Sequence, residues 1–377
     1  MIDICNSYLE VDLDEINRNI EKIRAGIGAD MDIIAVLKGN AYGTGLVPVG
    51  LFMHKHCGIN TFACAQTFEA VQLRESGIDC DIMVMGGVPF HNIPAVVKHG
   101  IHTPAYNKEY LTHLNQEAES RGKIAYVQIK VETGLNRIGI LPGKQTDDLC
   151  NHINSLEYIK VTGAYTHFTE SERPDKTPSH KQLELFKNAL EQIKRHGYEL
   201  KYIHAANTAA STWLRDTSLT HVRPAGLLFG FDVNIEPKNL FDLNETLSWR
   251  TFVTNVKEIK AGESVGYNRG FIAKRPSKIA TISAGYGDGY NRQLAMSMTA
   301  DALVNGKRVP IIGICMDQTF LDATGVGVNV NDTVTLIGKD GDENISIFEL
   351  QQKMNQTYLA ILAVISGRVL RTYKALL

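Results

Sequence analysis

The sequence predicts an α/β protein, a TIM (β/α)8 barrel followed by a smaller, mostly β C-terminal domain. Three observations lead there. Short β-rich runs alternate with longer amphipathic stretches through the first two-thirds of the chain. Beyond Leu240 the helical periodicity fades, and short strands punctuated by Gly, Asn and Asp take over. The chain has 377 residues, room for a barrel plus a partner domain. A doubly wound sheet is the main structural alternative.

Taken in order, the strands expected in the barrel are Ile33–Leu37, Thr61–Ala65, Ile82–Met85, Ile101–Pro104, Ala125–Val131, Ile159–Tyr165, Tyr202–His204 and His221–Arg223. Helical segments lie between them. Gln182–His196 carries apolar Leu183, Leu185, Phe186, Leu190 and Ile193, and Asn107–Arg121 is a more polar example. The second domain is expected to use Leu247–Val256, Lys278–Ser283, Arg308–Gly313, Thr319–Asp322 and Thr333–Ile337 as strands, with helices at Ser346–Met354 and Gln356–Ile365. Asn305-Gly306 reads as a two-residue hairpin turn. The domains are expected at 1–238 and 239–377, with the first strand free to join the second domain.

Composition narrows the function classes. The formal net charge of −2 offers no basic field for nucleic acid or an anionic membrane. No apolar run approaches the roughly 18 residues of a membrane span. The N-terminus has no secretory pattern, so a cytoplasmic protein is expected. The six cysteines form no CxxC pair and read as reduced. His54-Lys55-His56-Cys57 could chelate a metal, but no second ligand cluster follows, so a solvated helix end and no metal is the expectation.

In a barrel of this type, chemistry sits on the loops at the C-terminal strand ends. Lys38 follows the first strand in a Gly-rich turn, where partial desolvation would lower its pKa and free a neutral amine for a carbonyl partner. Arg137 follows the fifth strand, His167 the sixth and Asn207-Thr208 the seventh, while Arg223, Ala225 and Gly226 lie at the eighth. Each also reads as a surface charge, and Asn207 or Thr208 as a helix cap. Small and hydroxyl residues after the last two strands suit a phosphate. An amine and a phosphate cradle at one rim suggest pyridoxal phosphate.

The same segments resemble the alanine racemase family. AVLKGNAYGTG at 35–45 is similar to its cofactor-lysine signature, and KVETGLNRIG, YTHF, HAANTAA, VGYNRGF, GYGDGYNR and ICMDQ follow in family order. The resemblance implies a pyridoxal 5'-phosphate isomerase that interconverts L- and D-alanine, and a homodimer with shared active sites. Lys38 would carry the cofactor and act as one acid/base. Tyr267 of the partner subunit would be the other, on the opposite face of the α-carbon. A phenol titrating near 10 in water is a weak base at neutral pH, and His204 or an arginine is a candidate source of positive potential. Arg223 would face the pyridine nitrogen, supported by His167. Arg137 would lie near the cofactor and substrate carboxylate. Tyr42, Asn207, Thr208, Ala225 and Gly226 would serve the cofactor, chiefly its phosphate, and Met316 the substrate. Lys130 matches a position that is carbamylated in some members and is otherwise an unmodified strand lysine. Tyr286, Tyr290 and Asp317 would line the pocket or its entrance, with core packing the alternative for the two tyrosines.

The sequence departs from the family pattern at Gly367, where a tyrosine is usual. Its absence opens space for serine, or for a racemase preferring serine, lysine, arginine or ornithine. Thr44 stands where histidine is common, Ala225-Gly226 replaces Gly plus a branched residue, and Pro310–Met316 is one residue short. The sequence distinguishes three competing readings. A basic amino-acid decarboxylase would show a glycine-cluster phosphate loop, and a barrel-only pyridoxal-phosphate carrier would lack residues 240–377. A non-catalytic binding module would have no need of Lys38 and Tyr267.

Overall fold

The computed structural model describes residues 4–216, 218–231, 240–297 and 299–375. The expected boundary at 238/239 lies outside the described residues. The chain forms two compact units. One comprises Asn17–Ala41 and Leu46–Leu243, and the other Met1–Ile16, Tyr42–Gly45 and Asn244–Leu377.

Strand β1 (Ser7–Asp12) belongs to the second unit, and the barrel follows it. The first barrel strand is split into β2 (Asp32–Ile33) and β3 (Ala35–Val36). Then come β4 (Thr61–Cys64), β5 (Asp81–Val84), β6 (Thr103–Ala105), β7 (Ala125–Lys130), β8 (Ile159–Tyr165), β9 (Tyr202–His204) and β10 (His221–Val222). All neighbouring pairs are parallel. The β5–β6 seam narrows to the single bridge Met83–His102. The ring closes where Thr220 N–H donates to the Ile203 carbonyl at 2.8 Å and β10 pairs with β2. This is the (β/α)8 barrel expected. The fourth strand sits later than the sequence suggested, at Thr103–Ala105, because its first residues pair through that one bridge.

The helices follow the apolar spacing. Thr177–Arg195 starts with a proline in its first turn and buries Leu183, Phe186, Leu190 and Ile193. Inside the barrel the filling is unusually polar: Gln128, Lys130, His102, His204 and Arg223 are all buried.

The second unit is mainly antiparallel. Strands β11 (Leu247–Ile259), β14 (Ser277–Ile282), β17 (Thr319–Asp322), β16 (Lys307–Ile314), β15 (Asp301–Val304) and β18 (Thr333–Asp340) pair in that order, and β18 pairs back onto β11. The result is a small closed barrel, which removes the free edges of its central strands. β1 and β20 (Leu370–Lys374) extend the sheet from β11, and β19 (Glu343–Ile345) extends it from β18. Asn305 and Gly306 have φ of 52° and 71°, the left-handed pair that a tight hairpin between β15 and β16 requires. A two-stranded ribbon, β12 (Ser264–Val265) with β13 (Phe271–Ile272), is anchored by Val265, Ala273, Ile279 and Ile312, with Phe271 and Phe320 alongside.

Among the described residues no helix is long and apolar enough to cross a membrane. No cluster of three metal-ligating side chains occurs among them either. His54 is instead tied to Asp79 at 3.0 Å and to the Ile59 carbonyl at 3.2 Å.

Candidate active site

In the first unit, Lys38 follows β3 and opens a turn that winds the wrong way. Gly39, Asn40 and Ala41 have φ/ψ of 62/47°, 55/46° and 52/49°, and Tyr42 and Gly43 continue with positive φ. A left-handed conformation costs a residue with a Cβ about 1–2 kcal/mol, less for asparagine, so the surroundings must hold this turn. The Glu69 carboxylate does so from the first turn of the helix Thr67–Glu75. Its Oε1 accepts from the N–H of Gly39 at 2.6 Å and of Asn40 at 3.4 Å. Its Oε2 accepts from Ala65 and Gln66 at 3.1 and 3.2 Å. The Asn40 side chain accepts the Leu46 N–H at 2.8 Å.

Lys38 keeps solvent access, yet the protein mass around its ammonium lowers its pKa. The positive charge of Arg137 acts the same way, Glu69 opposes, and Arg223 adds a smaller depression. Arg137 is exposed on the segment after β7, whose course is set by Glu132 accepting the Gly134 N–H at 2.5 Å.

Arg223 is fully buried. It donates to His204 Nδ1 at 2.8 Å, the Thr166 carbonyl at 2.9 Å, His167 Nδ1 at 3.1 Å and the Ala205 carbonyl at 3.1 Å. Because the guanidinium can only donate, both Nδ1 atoms must accept. His204 therefore carries its proton on Nε2, which donates to Gln128 Oε1 at 2.7 Å. Burial first, and the Arg223 charge second, hold both imidazoles well below their ordinary value, so both are neutral. His204 thus supplies no positive potential, contrary to one expectation from the sequence. Burial brings Arg223 down to about 10, which leaves it protonated at neutral pH. Tyr165 stacks on His204 at 5.0 Å and its hydroxyl donates to the Met85 carbonyl.

Lys130 ends β7 inside the barrel. Its ammonium donates to the Val131 carbonyl at 2.7 Å and lies 5.5 Å over the Tyr165 ring. Burial lowers its pKa to about 8, against a smaller opposing effect of Glu132. Asn207 takes a capping part: Oδ1 accepts from the Ala210 N–H at 3.1 Å and from Ser171 Oγ at 2.7 Å. Thr208 Oγ1 accepts the Ala225 N–H at 3.1 Å, joining the loops after β9 and β10 where the turn Gly226–Phe229 starts.

The remaining candidates lie in the second unit. Tyr42 is buried, within the short segment whose Gly43 carbonyl accepts from Arg371 Nε at 2.9 Å and whose Thr44 carbonyl accepts from the Tyr373 hydroxyl at 3.0 Å. A Cβ on Gly45 would fall 1.9 Å from that hydroxyl. Tyr267 occupies the turn joining β12 to β13 and is 78% exposed. Gly266 before it has φ 78° and ψ −179°, a combination open to glycine alone. Tyr286 and Met316 are exposed and their segments are tied together, Gly287 N–H donating to the Met316 carbonyl at 2.8 Å. Asp317 pairs with Arg368 at 2.7 Å, next to Gly367, around whose Cβ position nothing lies within 4 Å.

Tyr290 is not at an entrance. It is 2% exposed and packs edge-on against Trp249 at 5.9 Å, so its role is core packing. Sequence reasoning missed Glu69, Gln128 and Arg371. Only Glu69 left a trace, as the third residue of a capping box with Gln66.

A family model described as alanine racemase, N-terminal domain, matches residues 11–233, and one for the alanine racemase C-terminal domain matches residues 246–373. The chain is 36% identical to the alanine racemase of Methanococcus maripaludis over 97% of its own length and 98% of that protein's. The solved alanine racemase of Bacillus anthracis with bound L-Ala-P superposes with a TM-score of 0.92 at 31% identity, covering 99% of this chain and 96% of that one. The histidine racemase of Leuconostoc mesenteroides subsp. sake superposes with a TM-score of 0.90 at 27% identity, covering 99% of each.

Proposed function

The chain belongs to the alanine racemase family, and on that premise we propose that Lys38 and the partner subunit's Tyr267 move the α-proton of alanine in a site built for pyridoxal 5'-phosphate. The enzyme is an isomerase that interconverts L- and D-alanine.

The residues at the barrel mouth fit the cofactor that this family uses. Lys38 offers an amine whose pKa is lowered by its surroundings. Arg223 offers a guanidinium locked by two neutral histidines, suited to donate to a ring nitrogen without giving up its proton. The joined loops offer the Thr208 hydroxyl hydrogen and the backbone at Gly226 for a phosphate, the Ala225 N–H being given to Thr208 Oγ1. When bound, pyridoxal phosphate supplies an aldehyde for an amine and a conjugated ring that withdraws electrons from the α-carbon.

The protein's own work is then proton handling. Lys38 Nζ removes or returns the α-proton on one face, and the Tyr267 phenol does so on the other. Arg137 would hold the substrate carboxylate. With its proton retained, Arg223 would donate a hydrogen bond to the ring nitrogen, which would restrain electron withdrawal and favour proton exchange over transamination.

The reading is carried by the buried Arg223 guanidinium, held in place by His204, His167 and two backbone carbonyls after the strands that end at the Lys38 rim. The homodimer is part of the proposal, because a second base on the opposite face is assigned to the partner subunit's Tyr267, which is exposed here. A cytoplasmic location agrees with the absence of a membrane-crossing helix among the described residues. Substrate breadth toward serine is a second proposed feature, favoured by the open space at Gly367 and by a histidine racemase sharing the scaffold. The test is a stereochemical assay of the purified protein, with pyridoxal phosphate added and withheld, on L-alanine, D-alanine and L-serine. Cofactor-dependent formation of the opposite alanine enantiomer is expected. A protein that binds the cofactor yet leaves alanine's configuration and α-proton untouched would overturn the proposal.

A further inference from the structure

We propose that Glu69 is a positioning residue for Lys38: its carboxylate clips the left-handed turn that carries the lysine to the neighbouring βα loop. The inference rests on Lys38 being the reactive lysine. One oxygen serves the N–H groups of Gly39 and Asn40, and the other serves Ala65 and Gln66. A helix-capping glutamate needs only the second pair. The first pair is spent on backbone 30 positions away, at the residues that must stay left-handed for Lys38 to keep its pose.

A carboxylate is suited to this because both oxygens accept and neither donates. Glutamine at the same place could accept from one loop only, and its amide hydrogens would meet the N–H donors of the other. Aspartate keeps the charge but is one methylene too short to span both loops. Glu69 also lies among the charged groups facing Lys38. Arg137 and Arg223 lower the lysine's proton affinity, Glu69 raises it, and His167 is neutral.

The test compares Glu69→Gln and Glu69→Asp with the parent holoenzyme by amide hydrogen exchange and by the pH dependence of kcat, which reports the substrate complex, where the Lys38 amine is free. In both variants the Gly39 and Asn40 amides should exchange at least about tenfold faster, while those of β7 stay unchanged. In Glu69→Gln the acidic limb should also move to lower pH, since losing the negative charge lets the Lys38 pKa fall further. In Glu69→Asp the limb should stay near its parent position, which a purely structural role would not predict. If Glu69→Gln fails to fold, Glu69→Asp still reads the exchange arm. Unchanged exchange at Gly39 and Asn40 overturns the proposal, as does an acidic limb that Glu69→Gln does not move. The exchange arm needs no turnover, so its failure is separable from a failure of the racemase reading.

Discussion

Arg223 and His204 form a fixed donor–acceptor pair at 2.8 Å, and the direction of that hydrogen bond sets the histidine's tautomer and charge. Removing the histidine strands one arm of a buried guanidinium. His204→Leu should destabilise the protein by about 2–3 kcal/mol, the cost of leaving a charged donor unpaired. Urea unfolding midpoints measure this, and a shift within error would mean that another acceptor replaces the imidazole.

Two bases on opposite faces predict asymmetric defects. Lys38→Ala and Tyr267→Phe should each lower racemisation by about a hundredfold or more. Each should spare α-proton exchange in deuterated water for at most one alanine enantiomer, and not the same one. Loss of exchange from the same enantiomer in both variants would argue for a single base.

On the proposed reading, the acidic limb of kcat reports Lys38, which is a free amine in the substrate complex. Its pKa is lowered by its surroundings and by Arg137, so the neutral amine persists to lower pH than for a free lysine. Arg137→Gln removes a depressing charge and should move that limb to higher pH, opposite in sign to Glu69→Gln. A limb indifferent to Arg137 would place the arginine's charge too far from the ammonium.

Lys130 couples stability to pH. Its folded pKa of about 8 lies below the ordinary 10.5, so between those values the unfolded chain binds more protons. The contribution of this residue to stability should therefore rise as pH climbs from 8 to 10.5 and be at its worst below 8. Lys130→Met should flatten the slope in a thermal-melt series. The neutral amine is also the form that takes up carbon dioxide. Labelled bicarbonate should give a carbamate signal that vanishes in Lys130→Met; no signal in the parent protein would show that the lysine stays unmodified.

Gly367→Tyr should narrow the substrate range toward alanine. The Cβ site is open, so the substitution should leave the melting temperature near its parent value. The serine-to-alanine ratio of kcat/KM should fall by about tenfold or more, as expected when about one side-chain atom is excluded from a pocket. An unchanged ratio would remove Gly367 from the determinants of specificity.

The barrel was legible because alternation of β runs and amphipathic helices is a local property of the chain. Ile159–Tyr165, Tyr202–His204 and Thr319–Asp322 fall where the pattern puts them. The rim residues were legible for the same reason: a strand end can be read, and a rim position follows from it. Glu69 was not legible, since its partners are backbone groups of Gly39 and Asn40, which no side-chain pattern announces. Tyr290 misled because GYGDGYNR sets two tyrosines four positions apart, and only packing against Trp249 separates the buried one from the exposed one. The break of the first strand at Ile34 and the reversed winding after Lys38 are tertiary features.

That reversed winding bears on how the protein can change over generations. Asn40, Ala41 and Tyr42 each carry a Cβ through a region that β-branched side chains enter at high cost. Most single-step replacements there trade fold stability for nothing gained at the lysine, so drift should run slowly through 39–43 and freely around Gly367. On the proposed reading, the catalytic lysine and the substrate range would then sit in segments that change at different speeds, and a new preference could arise without reopening the chemistry.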